Sequence, residues 1–206
     1  MKKIAIIGAS GHGKVVADIA KKNGYESIVF LDDNESVQMC GDYPVIGNAK
    51  KASELNCDVI VAIGNAKVRQ RIQEELIRGS VHIVSLIHPN AVIADDVPIG
   101  VGTGVMAGAI INPGATIGDG VIVNTSASVD HDCIIEDYVH VSVGAHVAGT
   151  VHIGMGTWIG AGAVVSNNIT IGNDCMIGAG AVVIRDMSDA CTVVGNPAKP
   201  INLVVK

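Results

Sequence analysis

The amino-acid sequence predicts a small α/β (Rossmann-like) domain over residues 1–88, followed by a three-sided parallel β-helix over residues 89–206. The first 88 residues alternate short β-branched runs with amphipathic helical stretches, which is typical of a parallel sheet flanked by helices. From residue 91 to residue 186, sixteen consecutive six-residue blocks each carry Ile or Val at their third position. This unbroken repeat predicts a β-helix, because each repeat buries its apolar residue by stacking on its neighbours.

In the first domain we expect strands over residues 3–7, 27–31, 58–63 and 81–87, and helices over residues 15–22 and 67–78. The first strand leads directly into a glycine-rich turn, Gly8-Ala9-Ser10-Gly11-His12-Gly13-Lys14. Its glycines allow close backbone approach, and the N-terminus of the following helix offers free N–H groups to a phosphate.

Two further loops of this domain belong to the same edge of the predicted sheet. Asp32 and Asp33 end the second strand, and Gly64 and Asn65 follow the third. Ligands of open α/β sheets gather at the carboxyl ends of the strands, so the three loops together predict a nucleotide-bearing ligand. The alternative is that the glycines form ordinary strand-to-helix turns and that the acidic pair is a solvated loop.

The repeat also predicts the dimensions of the second domain. A six-residue block supplies one short strand and a corner, so three blocks close a coil of about eighteen residues and sixteen blocks make about five coils. The Ile and Val side chains point into the prism, where they stack on their equivalents in the coils above and below. The repeat contains no inserted loop.

Composition excludes several classes of function. The chain has 25 Gly and one Phe among 206 residues, which fits a core of Ile, Val and Ala. A net charge of −6 argues against a nucleic-acid partner. No signal peptide or apolar run of membrane-spanning length is found, so we expect no membrane partner. The five cysteines form no CxxC pair, which favours a reduced, cytoplasmic protein, and no ligand cluster predicts a metal.

Two histidines of the repeat mark a candidate site. His131, in Asp130-His131-Asp132, follows an inward Val and therefore lies at a corner, where it suits a general base whose tautomer Asp132 could fix. His140 is nine residues further on, which is half a coil. With about 3.3 Å per strand residue, the two side chains of one prism lie more than about 10 Å apart. A shared site would therefore form between neighbouring chains, for which three-fold closure is a natural solution.

The chain resembles the hexapeptide-repeat sugar acetyltransferases of the PglD/NeuD type over nearly its whole length. The resemblance rests on six segments: IIGASGHGKVVADIA at residues 6–20, FLDD at 30–33, AIGN at 62–65, IHPNAVI at 87–93, NTSASVDHDCIIEDYVHVSVGAHVAGTVHIG at 124–154 and VVGNPAK at 193–199. It implies a homotrimer of left-handed β-helices of about five coils each. It also implies acetyl-coenzyme A as co-substrate and active sites between neighbouring prisms.

The same resemblance implies a role for individual residues. His131 would be the general base, with Asp132 as its partner and Asn124 assisting in the cleft. His140, Gly149, Ala161 and Ala179 would contact acetyl-coenzyme A, with the Gly149 N–H facing the thioester oxygen. For the acceptor, a UDP-linked 4-amino-4,6-dideoxy sugar, the residues would be Ser10, Gly11, His12, Asp32, Asp33 and Gly64.

Some alternatives stay open from the sequence. Asp132 stands where the family carries Glu, and residues 34–56 form an insertion, so the identity of the acceptor sugar is undetermined. O-acetylation of a sialic acid is one alternative to N-acetylation, and a non-catalytic nucleotide-sugar-binding scaffold is another. Trp158 fits either a coenzyme groove or an exposed position, and Lys199 either a coenzyme phosphate contact or a solvated tail. A nicotinamide-dependent oxidoreductase is disfavoured, because the first loop reads GxxGxG and not GxGxxG.

Overall fold

The structure is a computed structural model that describes residues 1–201. Its N-terminal domain contains a three-stranded parallel sheet in the order β2-β1-β5, flanked by helices. Neither α-helix of residues 1–201 has the length and apolar character needed to cross a membrane. In chain order the elements are β1 (Lys3–Ile7), α1 (Gly11–Lys22), β2 (Ser27–Leu31), β3 (Met39–Cys40), β4 (Tyr43–Pro44), a 3₁₀ helix (Ala49–Glu54), β5 (Asp58–Val61) and α2 (Ala66–Arg78).

The predicted fourth strand of this sheet, residues 81–87, was wrong. Ile83 makes a single bridge to Val59, and the chain then leaves the sheet. Leu86 and Ile87 form a strand that pairs with residues 104 and 105 of the second domain. Residues 81–87 therefore connect the two domains. Ile83 is buried against the α/β sheet, and Leu86 is buried where its strand joins the prism.

Residues 34–56, the insertion seen in the sequence, cover the outer edge of the sheet. β3 and β4 pair as a short antiparallel hairpin, and the chain after it returns along β2. Ile46 N–H donates to the carbonyl of Phe30, and Asp32 N–H donates to that of Gly47, at 2.9 Å each. The insertion thus occupies backbone groups that an edge strand would otherwise expose.

The second domain is a three-sided parallel β-helix. Its strands are β6 (Leu86–Ile87), β7 (Val92–Ile93), β8 (Gly104–Val105), β9 (Ile110–Ile111), β10 (Thr116–Ile117), β11 (Ile122–Val123), β12 (Ser128–Val129), β13 (Ile134–Ile135), β14 (His140–Val141), β15 (His146–Val147), β16 (His152–Ile153), β17 (Trp158–Ile159), β18 (Val164–Val165), β19 (Thr170–Ile171), β20 (Met176–Ile177), β21 (Val182–Val183), β22 (Thr192–Val194) and β23 (Lys199–Pro200).

The three sheets of the prism are named here after one strand of each. The β14 face has the order β23-β22-β20-β17-β14-β11-β8-β6, the β12 face β21-β18-β15-β12-β9-β7, and the β13 face β10-β13-β16-β19. In most of the two-residue strands, the second residue is the buried Ile or Val of the repeat and the first points outward. The inward side chains form one continuous core from Val105 to Val193.

The eighteen-residue coil predicted from the repeat is confirmed by the register of the strands. Ile122 pairs with His140, and His140 pairs with Trp158, each eighteen residues further along the chain. The prism has about six turns, not five, and the β12 face contains six strands. The difference arises because Leu86–Ile87 and Thr192–Val194 add strands beyond the strict repeat. In the last coil Met176 pairs with Thr192, so that coil is two residues shorter.

The two domains share a hydrophobic core and a polar seam. Met106 and Ile122 of the prism are buried in the same cluster as Ile19 and Phe30 of the α/β domain. Along the seam, α2 lies over successive corners of the prism. The Gln73 amide donates to the carbonyl of Val101 at 2.9 Å.

The inward and outward positions of one strand predict a difference in stability. Ile135 is 1% exposed inside the prism, whereas its neighbour Ile134 is 48% exposed. We expect Ile135→Ala to lower the free energy of unfolding by about 2–5 kcal/mol, because it leaves a cavity between stacked coils. Ile134→Ala is the matched control, with a loss of about 1 kcal/mol or less. Denaturant titrations at one protein concentration measure both, and equal losses would contradict the inward stacking.

Candidate functional site

His131 lies at the corner between β12 and β13, held in a hydrogen-bonded turn. Asp132 has a positive φ of 57°, and this left-handed turn brings its carboxylate back to the ring of the preceding residue. His131 Nδ1 and Asp132 Oδ2 are 2.8 Å apart. On the other side, Asp130 Oδ1 accepts from the His131 backbone N–H at 2.8 Å and from the Asn112 side chain at 2.7 Å. The corner is therefore ordered by side chains that the repeat itself does not require.

The contacts of His131 fix where its proton and its lone pair lie. The hydrogen bond from Nδ1–H to Asp132 raises the pKa of His131 above its ordinary value of 6.5, with the Asp130 and Asp132 charges adding to the effect. Because Nδ1 carries the proton, Nε2 is the basic atom. One coil further on, Gly149 packs against the ring, and a Cβ at that position would overlap Nε2. The Nε2 lone pair of His131 thus lies beside the backbone of Gly149, which no side chain covers.

A second cluster surrounds His140 on the β14 face. His140 Nε2 and Asn124 Nδ2 are 3.1 Å apart, and Asn124 Oδ1 accepts from the Thr125 N–H at 2.8 Å. The second bond determines the orientation of the amide, so its NH₂ group faces the histidine. The ring of His140 stacks on Trp158 with centroids 4.9 Å apart, and the indole N–H donates to Ser142 Oγ.

These contacts assign the tautomer of His140. Burial, then the Arg69 charge, and then His12 lower its pKa to about 3, so the ring is neutral. Its Nε2 accepts from Asn124, which leaves the proton on Nδ1. Nδ1 is buried and makes no hydrogen bond within residues 1–201. A buried N–H donor without a partner is costly, and it indicates a place where a ligand acceptor can bind.

A cleft of about 450 Å³ runs from this cluster along the β14 face. Its lining is mostly apolar and includes His140, Trp158 and Met176. Ala161 and Ala179, two of the predicted coenzyme contacts, line the same cleft. Gly149 does not line it and lies beside His131 instead.

The glycine-rich loop meets this cluster from the α/β domain. Ser10 is the N-cap of α1, and Gly11 and His12 form its first turn. A Cβ at Gly13 would overlap the carbonyl of Gly8, which explains the glycine there. The His12 ring lies 6.4 Å from that of His140, centroid to centroid. Burial, followed by the Arg69 charge, lowers the pKa of His12 to about 4, so this ring is neutral as well.

The acidic pair has a more structural position than the sequence suggests. Asp32 Oδ2 accepts from the Ala9 N–H at 2.7 Å, and its Oδ1 accepts from the Asn34 N–H at 2.9 Å. Asp33 Oδ1 accepts from the Ala49 N–H at 3.2 Å and thereby holds the start of the 3₁₀ helix. Asp32 and Asp33 also line a cavity of about 120 Å³ with Ile63. A nucleotide there would meet carboxylates that are already ordered.

The predicted site residues therefore fall into two groups within one chain. His131, Asp132 and Gly149 lie at the corner after β12, whereas Asn124, His140, Ala161 and Ala179 lie at or near the corner before it, with His12 close by. Asn124, predicted to assist in the cleft, lines the cleft and contacts His140. Within residues 1–201, no group of three or more His, Cys, Asp and Glu side chains is placed to hold a metal ion.

Sequence reasoning missed Arg69, which is fully buried between α2 and the prism. Its Nε donates to the carbonyl of Gly120 and its Nη2 to that of Tyr138. The available signal was its spacing. Position 69 shares a helix face with Ile72 and Leu76, so a cation stands where an apolar residue is expected.

Comparison with known proteins finds a matching family for each of the two domains. The PglD N-terminal domain family matches residues 3–76, and the bacterial transferase hexapeptide family (six repeats) matches residues 150–185. The structure resembles the acetyltransferase domain of PglB from Neisseria gonorrhoeae in complex with acetyl coenzyme A, with a TM-score of 0.94. Sequence identity is 44%, over 97% of this chain and 99% of that one.

Two further relatives are nucleotide-sugar enzymes. A His-to-Asn variant of perosamine N-acetyltransferase from Caulobacter crescentus, in complex with CoA and GDP-perosamine, has a TM-score of 0.95 and 34% identity, over 98% of both chains. UDP-N-acetylbacillosamine N-acetyltransferase from Bacillus subtilis is 39% identical over 113 residues, which is 52% of each chain. The chain spans about half the length of the curated relatives it matches. By sequence and fold, it belongs to the left-handed β-helix, hexapeptide-repeat sugar acetyltransferases of the PglD/NeuD type.

Proposed function

We propose that this protein transfers an acetyl group from acetyl-coenzyme A to the 4-amino group of a UDP-linked amino-dideoxy sugar, with His131 as general base. The observation that carries the proposal is the corner at His131. There, Nδ1 is bound by Asp132, and a basic Nε2 stands against the bare backbone of Gly149. Relatives that act on nucleotide-linked amino sugars support the substrate class. The five cysteines are free thiols, which supports a reducing compartment such as the cytoplasm.

The proposed active site lies between subunits of a homotrimer. The His131 corner and the Asn124 corner flank the β12 face on opposite sides. Between them, the face exposes apolar side chains, including Val92 at 63% and Ile110 at 41%. A neighbouring prism that covers this face would bring His131 of one chain to His140 of the next. Three such heterologous contacts close a ring.

In this arrangement each residue group has one task. The cleft along Trp158 holds the pantetheine arm of the donor, and the loops at Ser10 and Gly64 hold the nucleotide sugar. His131 Nε2 takes a proton from the amine as its nitrogen attacks the thioester carbonyl. The Gly149 N–H donates to the oxyanion; the carbon–sulfur bond then breaks, and the leaving thiolate takes the proton from His131 and departs as coenzyme A. The buried His140 N–H stabilises an acceptor atom of the donor, and no acetyl-enzyme forms.

The acceptor is tested with a panel of substrates. The purified protein is incubated with acetyl-coenzyme A and, separately, UDP-linked and GDP-linked 4-amino sugars and a sialic acid, and thiol release is followed. We expect a UDP-linked amino sugar to give the highest kcat/KM, because the relative that is 39% identical over 113 residues is a UDP-sugar N-acetyltransferase. Preference for the sialic acid would favour O-acetylation. Binding of nucleotide sugar without thiol release from any acceptor would favour the scaffold.

Removal of the proposed base has a matched control on the same prism. We expect His131→Ala to lower kcat about 10²–10⁴-fold, the usual cost of losing a general base. His152 also pairs with a carboxylate, since its Nε2 lies 2.6 Å from Glu136 Oε1, but it lies on the β13 face. His152→Ala should therefore change kcat by less than about threefold. Steady-state kinetics measure both, after the oligomer mass of each variant is checked.

The carboxylate partner gives this prediction a pH signature. Asp132 raises the pKa of His131, so in the wild type kcat/KM falls as the pH drops through that raised pKa and the base is protonated. Asp132→Asn should move this acidic limb to lower pH and cost less turnover than His131→Ala. An unmoved limb, or normal turnover in His131→Ala trimers, would remove His131 from the role of base.

Mixed oligomers test whether the site is shared. His131→Ala and His140→Ala chains each form trimers in which every site lacks one histidine. When they are co-expressed, each mixed trimer contains one interface with both histidines intact, so about one third of the wild-type activity per mixed trimer should return. Mixed trimers isolated with two different affinity tags provide the measurement. No recovery would mean that the two histidines serve separate sites or a site within one chain.

A further inference from the structure

Arg69 is a buried cation without a carboxylate partner. Its side chain is 0% exposed, and burial lowers its pKa to about 10, so it stays charged at neutral pH. No ion pair to Arg69 is found within residues 1–201. Burying an unpaired cation costs several kcal/mol unless its donors are all satisfied, so its presence calls for a reason beyond packing.

The guanidinium meets backbone carbonyls from both domains. Nη1 donates to the carbonyl of Ile63 at 2.7 Å and to that of Gly64 at 2.9 Å, both in the loop between β5 and α2. Nε donates to Gly120 at 2.7 Å and Nη2 to Tyr138 at 2.6 Å, which are equivalent corners of successive coils. Tyr138 precedes His140 by two residues. One planar group therefore joins the loop between β5 and α2 to the strand that contains His140.

Mechanical docking of the two domains does not require an arginine. One helical turn further on, Gln73 is equally buried and binds the carbonyl of Val101 with a neutral amide. Lys67 at the start of α2 adds a surface ion pair with Asp174 at 3.3 Å. What distinguishes Arg69 is its fork of donors, which lysine cannot reproduce, and its fixed charge.

The charge acts on the two histidines where the domains meet. In both His12 and His140, burial is the main cause of the lowered pKa and the Arg69 charge is the second. Arg69 of α2 is the charged group that acts on both histidines, and His12 of α1 also acts on His140. The other side chains around His140 are neutral: Asn124, Ser142 and Trp158. If His140 were protonated, its Nε2–H would face the NH₂ group of Asn124, and the hydrogen bond between them would be lost.

We propose that Arg69 is a positioning residue for the acceptor side of the reaction. Its guanidinium holds the Ile63–Gly64 loop at a fixed place relative to the His140 strand, and its charge adds to burial in keeping His140 in the neutral form that accepts from Asn124. The inference rests on the proposed function, because the Gly64 loop is taken to bind the nucleotide sugar. It adds a residue that touches neither substrate.

Three variants separate positioning from structural support. Arg69→Met removes both the guanidinium donors and the charge, whereas Arg69→Lys keeps the charge. Gln73→Met removes the hydrogen bond of a neutral side chain that is buried as fully as Arg69. We expect Arg69→Met to raise KM for the nucleotide sugar about tenfold or more, the cost of losing charged hydrogen bonds, with a smaller change in KM for acetyl-coenzyme A. Arg69→Lys should be intermediate. Gln73→Met should lower the thermal midpoint with both KM values changed less than about threefold.

A second readout does not depend on turnover. In histidine-labelled protein, the NMR signal of His140, assigned with His140→Gln, should show a neutral ring at every pH at which the wild type stays folded. In Arg69→Met, the pKa of His140 should rise, and in Arg69→Lys it should stay low. Titration with UDP, and with GDP in parallel, should give weaker binding to Arg69→Met than to Gln73→Met.

The outcomes distinguish this inference from the proposed function. Suppose that the wild type transfers acetyl groups while Arg69→Met leaves unchanged both the KM for the nucleotide sugar and the pKa of His140. That result overturns the role of Arg69 and leaves the proposed function standing. The same holds if Gln73→Met matches Arg69→Met in KM and nucleotide affinity. If no acceptor is acetylated by the wild type, the function falls, and the His140 titration still decides whether Arg69 sets the state of that ring.

Discussion

The whole site depends on the eighteen-residue closure of the coil. Because a residue and its equivalent one coil later stack directly, the register alone puts Gly149 over His131, and Trp158 over His140. The same ladder lines up Gly120 and Tyr138 as two carbonyls that one guanidinium can reach. The same eighteen-residue register thus stacks the inward side chains of the core and the outward side chains of the site.

This regularity also separates the chemistry into two halves. The basic nitrogen of His131 is exposed and made more basic by carboxylates, whereas His140 is buried, neutral and presents a donor. The surroundings of His131 raise its pKa, whereas those of His140 lower its pKa. The separation follows from burial: the His131 corner faces solvent in a single chain, while the His140 strand is covered by Trp158 and by the α/β domain.

Much of this could be predicted from the sequence, because the repeat is a local signal with a fixed period. The inward Ile and Val and the coil length follow from it, whereas the contact between His131 and Asp132 was predicted from their adjacency at a corner. Tertiary contacts explain what was missed. Residues 81–87 have a strand composition yet cross between domains, and Asn124 joins His140 because an amide orientation depends on Thr125. Arg69 gave no motif, since its partners are backbone carbonyls 51 and 69 residues away.

The two-residue strands of the prism, with no loop inserted between residues 91 and 186, restrict how such a protein can diverge. Adding or removing a residue within a strand there would move its inward side chain out of register, so changes of length in the prism are confined to its corners. The α/β domain has no such periodicity and already accommodates the hairpin and 3₁₀ helix of residues 34–56. We therefore expect related proteins to differ in length mainly within the α/β half, and to differ in the prism mainly by substitution.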